Sequence, residues 1–125
     1  MSRIAVVEDN ADNRLLVQAI LGGRHELDEY ASGPEALAGM RARVPDLVLL
    51  DISLPGMDGL AVLRALRADP ALRALPVIAL TAHAMRGDRE RFLADGFDDY
   101  VSKPIVDEAL LLDAVRARLE HPRPA

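Results

Sequence analysis

The chain has 125 residues, half of them hydrophobic, which suits one domain with a buried core and argues against disorder. A net charge of −5 disfavours direct nucleic-acid binding, because phosphate contacts need a basic patch. Cysteine is absent, so disulfides and thiolate chemistry are excluded, and the apolar runs are too short for membrane insertion or a signal peptide, so a cytoplasmic protein is expected.

Ile4-Ala5-Val6-Val7 is a continuous apolar run that suits a strand buried on both faces, and it ends in Glu8-Asp9-Asn10. The spacing then predicts a helix burying Leu15, Leu16, Ala19 and Ile20, stopped at Gly22-Gly23. Glu26 to Ala31 alternates weakly and carries charge, as an edge strand does. Ser32-Gly33-Pro34-Glu35 reads as a capping box, and the helix behind it buries Ala36, Leu37 and Met40. Leu47-Val48-Leu49-Leu50-Asp51 is the second buried strand, with a carboxylate at its carboxyl end. Pro55-Gly56-Met57-Asp58-Gly59 shapes a loop, and Asp58 caps a helix burying Leu60, Leu63 and Leu66 that ends at Asp69-Pro70.

Pro76 to Thr81 is the third buried strand. A largely polar helix spans roughly 83–94, and Asp98 to Ser102 is a short edge strand followed by Lys103-Pro104. The last helix buries Leu110, Leu111, Ala114 and Val115, and residues 121–125 form a proline-broken tail after a single domain over 1–120. Five strand–helix repeats of this kind imply a flavodoxin-like α/β fold: a doubly wound parallel sheet with helices on both faces. Placing the three apolar strands in the middle gives the order 2-1-3-4-5.

In that order the first and third strands are neighbours, and their carboxyl ends bring Glu8, Asp9 and Asp51 together. Open α/β sheets bind ligands at this rim. At ~4 Å and an effective dielectric of ~20, each like-charge pair repels by about 4 kcal/mol, so three clustered acids call for a cation. All-oxygen donors with room for water point to Mg2+. Glu8 and Asp9 as simple caps of the first helix are the competing reading. Thr81 and Lys103 end or follow two further strands on the same rim. Lys103 is the only lysine among fifteen lysines and arginines, and a compact ammonium fits where a planar guanidinium does not. A strand-end threonine and a solvated surface lysine are common taken singly; their convergence with the acids favours a phosphoryl site. With no cysteine and no Ser-His-Asp order, the nucleophile should be a carboxylate, and Asp51 is the central one.

Glu8-Asp9, Asp51, Pro55-Gly56-Met57-Asp58-Gly59, Thr81-Ala82 and Lys103-Pro104 together resemble the receiver domain of two-component response regulators, over residues 3 to about 119. The resemblance implies that Asp51 accepts a phosphoryl group from a phosphohistidine of a sensor histidine kinase or histidine phosphotransfer protein. It implies Mg2+ held by Asp9, Asp51, the Ser53 backbone carbonyl and waters, with Glu8 acting through a water, although many members carry Asp in place of Glu8. It implies that Lys103 pairs with Asp51, that Lys103-Pro104 is a cis peptide, and that Thr81 and Tyr100 form a switch pair. Tyr100 as an ordinary edge-strand tyrosine is the bland alternative. The downstream protein target would meet the fourth helix, fifth strand and fifth helix. Ser53 and His83 stand where the family tunes the lifetime of the phosphorylated state; His83 either orders an attacking water or is an exposed loop histidine. The run Thr81 to Asp88 is most similar to single-domain cell-cycle regulators of α-proteobacteria and to hybrid-kinase receivers. Met1 and the short tail give the expectation of a complete protein with no output domain, acting as an output switch or as a relay.

Three other readings fit less well. An aspartyl-phosphate phosphatase wants a second acid two residues after the nucleophile, where Ser53 stands. A phosphorylation-inert module usually lacks an acid or the lysine, and none is missing. A nucleotide-binding protein would carry a Gly-x-Gly-x-x-Gly cradle after the first strand, where this chain is acidic.

Overall fold

The computed structural model of the chain describes residues 2–82, 88–103, 105 and 107–120. Ten elements alternate: β1 (Arg3–Val7), α1 (Ala11–Leu21), β2 (Glu26–Tyr30), α2 (Gly33–Ala42), β3 (Leu47–Asp51), α3 (Gly59–Ala68), β4 (Val77–Thr81), α4 (Asp88–Asp95), β5 (Asp99–Ser102) and α5 (Glu108–Glu120). The five strands form one parallel sheet in the order β2-β1-β3-β4-β5. The apolar strands β1, β3 and β4 are central, and the charged β2 and β5 are the edges, as expected.

Alternation along the strands divides the core in two. Ala5, Val7, Val48, Leu50, Val77 and Ala79 face α2, α3 and Phe92 of α4. Ile4, Val6, Leu47, Leu49, Ile78, Leu80 and Val101 face α1 and α5. Helices α1, α2 and α3 begin on side-chain caps that satisfy otherwise orphaned amides. Asn10, Ser32 and Asp58 accept from the N–H groups of Asn13, Glu35 and Ala61 at 3.0, 3.4 and 2.9 Å.

Helix faces differ from expectation in three places. In α1 the buried residues are Val17, Ile20 and Leu21, while Ala19 is exposed and Leu15 is 68% exposed. Six of the seven residues from Leu15 to Leu21 are apolar, so the sequence allows several rotations, and the sheet selects one. In α3 Val62 is fully buried and Leu60 only partly. In α5 Leu111 and Val115 are buried and Ala114 packs beside them, but Leu110 points outward and is 61% exposed. The expected tail at 121–125 lies outside the described residues.

Candidate functional site

Strand register assembles the site. Val7 is level with Leu50, so the next residues on each strand, Glu8 and Asp51, lie side by side one step past the ladder. Leu80 is level with both Asp51 and Val101, which carries the alignment across β4 to β5. By side-chain parity Glu8, Asp51 and Lys103 continue the α1/α5 face, following Val6, Leu49 and Val101. Thr81 and Tyr100 continue the opposite face, following Ala79.

The three acids converge as expected. Carboxylate oxygens of Glu8, Asp9 and Asp51 all lie within 4.8 Å of one another. Glu8 and Asp51 are buried, and Asp9 is exposed at the mouth. The competing reading, that Glu8 and Asp9 cap α1, gives way to Asn10, whose side chain takes that role. Glu8 Oε2 instead accepts the Asn10 N–H at 3.3 Å, and the Glu8 N–H donates to the Tyr30 carbonyl at 3.0 Å.

Lys103 sits between two of the acids. Its Nζ lies 3.1 Å from Glu8 Oε1 and 3.0 Å from Asp51 Oδ2. A 2.7 Å bond from the Lys103 N–H to the Thr81 carbonyl fixes the backbone from which the side chain reaches inward. Asp51 Oδ1 accepts the Ser53 N–H at 2.9 Å.

The charge balance sets the ionisation states. Burial, then the hydrogen bond with Asp51, pushes the Glu8 carboxyl up to about 7, against the pull of Lys103. Burial alone would raise Asp51 too. Its hydrogen bonds with Glu8, the Ser53 N–H and Lys103 outweigh burial and hold it below the usual carboxylate range. Burial would lower Lys103, but its bonds to Asp51 and Glu8 outweigh that and hold it above the ordinary lysine value. The pocket therefore presents an ionised Asp51, paired with an ammonium, beside a carboxyl that resists losing its proton. Asp9 and Asp51 together exceed what one ammonium offsets, and hard oxygen donors this close fit a hard divalent cation.

Gly59, expected only to shape the loop before α3, is the first residue of that helix and lies against the strand end. A Cβ there would sit 2.4 Å from the Asp51 carbonyl oxygen and 2.6 Å from Ile52 Cα. Its N–H donates to the Ile52 carbonyl at 3.0 Å. The start of α3 thus presses directly on the backbone that carries Asp51. The signal in the sequence was a glycine immediately after the helix cap Asp58.

On the opposite face Thr81 is buried at the end of β4. Tyr100 is half-buried, and its ring lies 5.6 Å from that of Phe92 at 54°. Phe92 also packs edge-on against Phe97 at 5.9 Å. Nothing in the local sequence pairs Tyr100 with Phe92, because the two approach only once α4 lies on the sheet. His83 and the Lys103-Pro104 peptide, with the readings placed on them, lie outside the described residues.

Such a sheet, with acids and a lysine gathered at its carboxyl rim, is that of a doubly wound α/β domain with its ligand site at the strand ends. The response regulator receiver domain model matches residues 4–116, and the chain belongs to that family. It is 42% identical over 117 residues to the response regulator PleD of Caulobacter vibrioides, covering 93% of this chain but only 26% of PleD. It is 45% identical over 103 residues to the polar-differentiation response regulator DivK of Brucella ovis, covering 82% of this chain and 84% of DivK. Among solved structures it is similar to the receiver domain of a sensor histidine kinase from Pseudomonas aeruginosa, which has a magnesium ion coordinated in its active-site cleft. That match has a TM-score of 0.85 at 34% identity and covers 95% of this chain and 98% of the other. A histidine-kinase receiver domain from Syntrophus aciditrophicus matches with a TM-score of 0.84 at 32% identity, over 96% and 91% of the two chains. The protein is thus a receiver domain of the two-component type. Among the described residues, no helix is long and apolar enough to cross a membrane.

Proposed function

We propose that Asp51 is the phosphoacceptor. The observation that carries this reading is the Lys103 ammonium 3.0 Å from Asp51 Oδ2, beside two further carboxylates at the carboxyl end of the sheet. An oxygen of the ionised Asp51 forms a bond to phosphorus as the phosphorus–nitrogen bond of a phosphohistidine breaks. The electron pair of that bond stays with the imidazole nitrogen. Water later hydrolyses the acyl phosphate, releasing inorganic phosphate and restoring Asp51.

Asp9, Asp51 and the Ser53 backbone carbonyl would hold Mg2+, with Glu8 behind them. When bound, Mg2+ neutralises charge on the transferring group and orients it. Lys103 sits close enough to Asp51 to pair with a phosphoryl oxygen instead. The added charge of about −1.5 to −2 and three acceptor oxygens then recruit the Thr81 hydroxyl. Movement of Thr81 leaves room for Tyr100 on the same sheet face, and repacking of Tyr100 against Phe92 changes the surface formed by α4, β5 and α5. Partners are a sensor histidine kinase or histidine phosphotransfer protein upstream and a protein target on that surface. Ser53 and His83 tune the lifetime of the phosphorylated state. The unit that performs this spans 1–120, with 121–125 as a tail.

Incubation with a small phosphodonor and Mg2+, followed by mass spectrometry of the intact protein, tests the proposal. One added phosphoryl group is expected, absent in Asp51→Asn. Equal labelling of Asp51→Asn would place the acceptor elsewhere. Turnover of added phosphate esters would indicate a phosphatase.

A further inference from the structure

We propose that Arg14 is a positioning residue for the acidic loop, holding Glu8 and Asp9 in the arrangement that accepts a divalent cation. This inference rests on the metal-site reading above. It starts from one contact: an Arg14 guanidinium nitrogen donates to the backbone carbonyl of Glu8 at 2.7 Å, in a partly buried setting. The bond runs backwards from the second turn of α1 to the first residue past β1.

That carbonyl has lost the support of the sheet. The β1–β2 ladder ends at Val7 level with Tyr30, and the Glu8 N–H still reaches the Tyr30 carbonyl, but the chain then leaves the strand. From this point the segment is held from its helical side. The Asn10 side chain caps the Asn13 N–H at 3.0 Å, and the Asn10 carbonyl accepts the Arg14 N–H at 3.1 Å. Arg14 therefore grips both ends of the turn: its backbone holds Asn10, and its side chain holds Glu8. Asp9 lies between the two grips. A hydrogen bond from a charged donor is stronger than a neutral one, and a guanidinium offers it in a fixed plane.

The turn needs such a hold. Three acidic side chains share one pocket, and Asp9 is the exposed one, with solvent on its open side into which it can turn away from Asp51. A backbone pinned on both sides of Asp9 limits that escape. Residues that orient metal ligands from behind typically control affinity by about 10- to 100-fold. Because Asp9 has backbone support besides Arg14, the low end of that range applies. The guanidinium also repels a dication, an effect of opposite sign. It is directed at a carbonyl rather than at the pocket, so the positioning effect dominates.

Amide chemical shifts followed during Mg2+ titration of wild type, Arg14→Met and Arg14→Lys test this without any phosphoryl transfer. Arg14→Met is expected to raise the apparent Kd for Mg2+ about tenfold, with a thermal midpoint close to wild type because methionine is a good helix former. Arg14→Lys, which keeps a cationic donor, should lie between the two. Phosphorylation by a small donor in Arg14→Met should be slow at low Mg2+ and recover at saturating Mg2+. An unchanged or lower Kd in Arg14→Met overturns the proposal, as does an Arg14→Lys variant as weak as Arg14→Met. Slow transfer from a protein phosphodonor with normal Mg2+ affinity would also overturn it, assigning Arg14 to docking instead. If wild type itself binds no Mg2+, the metal-site reading fails and the role of Arg14 falls with it, whereas tight wild-type binding that Arg14→Met leaves unchanged overturns the role of Arg14 alone.

Discussion

Glu8 keeps a proton to a far higher pH than a solvent-exposed glutamate, because it is wholly buried beside Asp51. In the metal-free protein its folded value, about 7, lies above the value of 4.5 it has when unexposed to these neighbours. The folded state therefore favours the protonated carboxyl. The resulting stabilisation is complete below the unfolded value and is lost as pH rises through about 7. Urea unfolding in chelator should show wild type losing stability across this window while Glu8→Gln stays nearly flat. Parallel profiles would reject the assignment. The Asp51 contribution runs the other way and is lost at acid pH, below the ordinary aspartate range. Lys103 gives a second residue-level expectation. It bridges Glu8 and Asp51 at 3.1 and 3.0 Å in a nearly closed space. Lys103→Arg keeps the charge but replaces a compact ammonium with a planar fork. Phosphorylation of that variant should leave the amide shifts of Thr81 and Tyr100 close to their unphosphorylated values; a wild-type shift pattern would show the fork is tolerated.

Elements are tied together away from the site by one arginine. Arg67 of α3 donates to the carbonyls of Arg73 and Leu75 at 3.0 and 2.6 Å, to the Gly96 carbonyl at 2.8 Å, and to Asp98 Oδ2 at 3.2 Å. Asp98 Oδ2 also accepts the Val77 N–H at 2.8 Å. A single guanidinium thus joins the end of α3, the entry to β4 and the turn from α4 to β5. Removing one member of a mostly buried ion pair strands the other, so Arg67→Met should cost about 3 kcal/mol in urea unfolding. A loss below ~1 kcal/mol would show that Asp98 finds other support. The rotation of α1 is testable in the same way. Leu21→Ala should cost about 2–5 kcal/mol, and Leu15→Ala less than about 0.5 kcal/mol, because only Leu21 is inside. A loss at Leu15 as large as that at Leu21, or larger, would contradict this rotation of α1.

At the scale of the molecule, the proposed cation site exists only once the chain has folded. The acids come from β1 and β3, and no unfolded chain holds them within 4.8 Å. Any cation bound there stabilises the fold by mass action, by about 2.7 kcal/mol at a concentration 100 times its Kd. The denaturation midpoint should rise with Mg2+ in wild type and much less in Asp9→Asn. A midpoint indifferent to Mg2+ would argue against a folded-state site.

Much of this architecture was legible in the residues themselves. Four-residue apolar runs ending in acids, a cap-and-glycine loop and a solitary lysine marked the strands and the rim, because burial on both faces leaves no room for alternation. Strand order followed from which strands were apolar throughout. Helix rotation did not, since α1 and α5 carry more apolar residues than one face can bury, and only docking on the sheet chooses among them. Nor did the pairing of Tyr100 with Phe92, the pressure of Gly59 on the Asp51 backbone, or the reach of Arg14 to the Glu8 carbonyl. Local sequence determines which groups stand at the ends of strands. Distances of three ångströms between groups far apart in the chain exist only after register and packing bring those ends together.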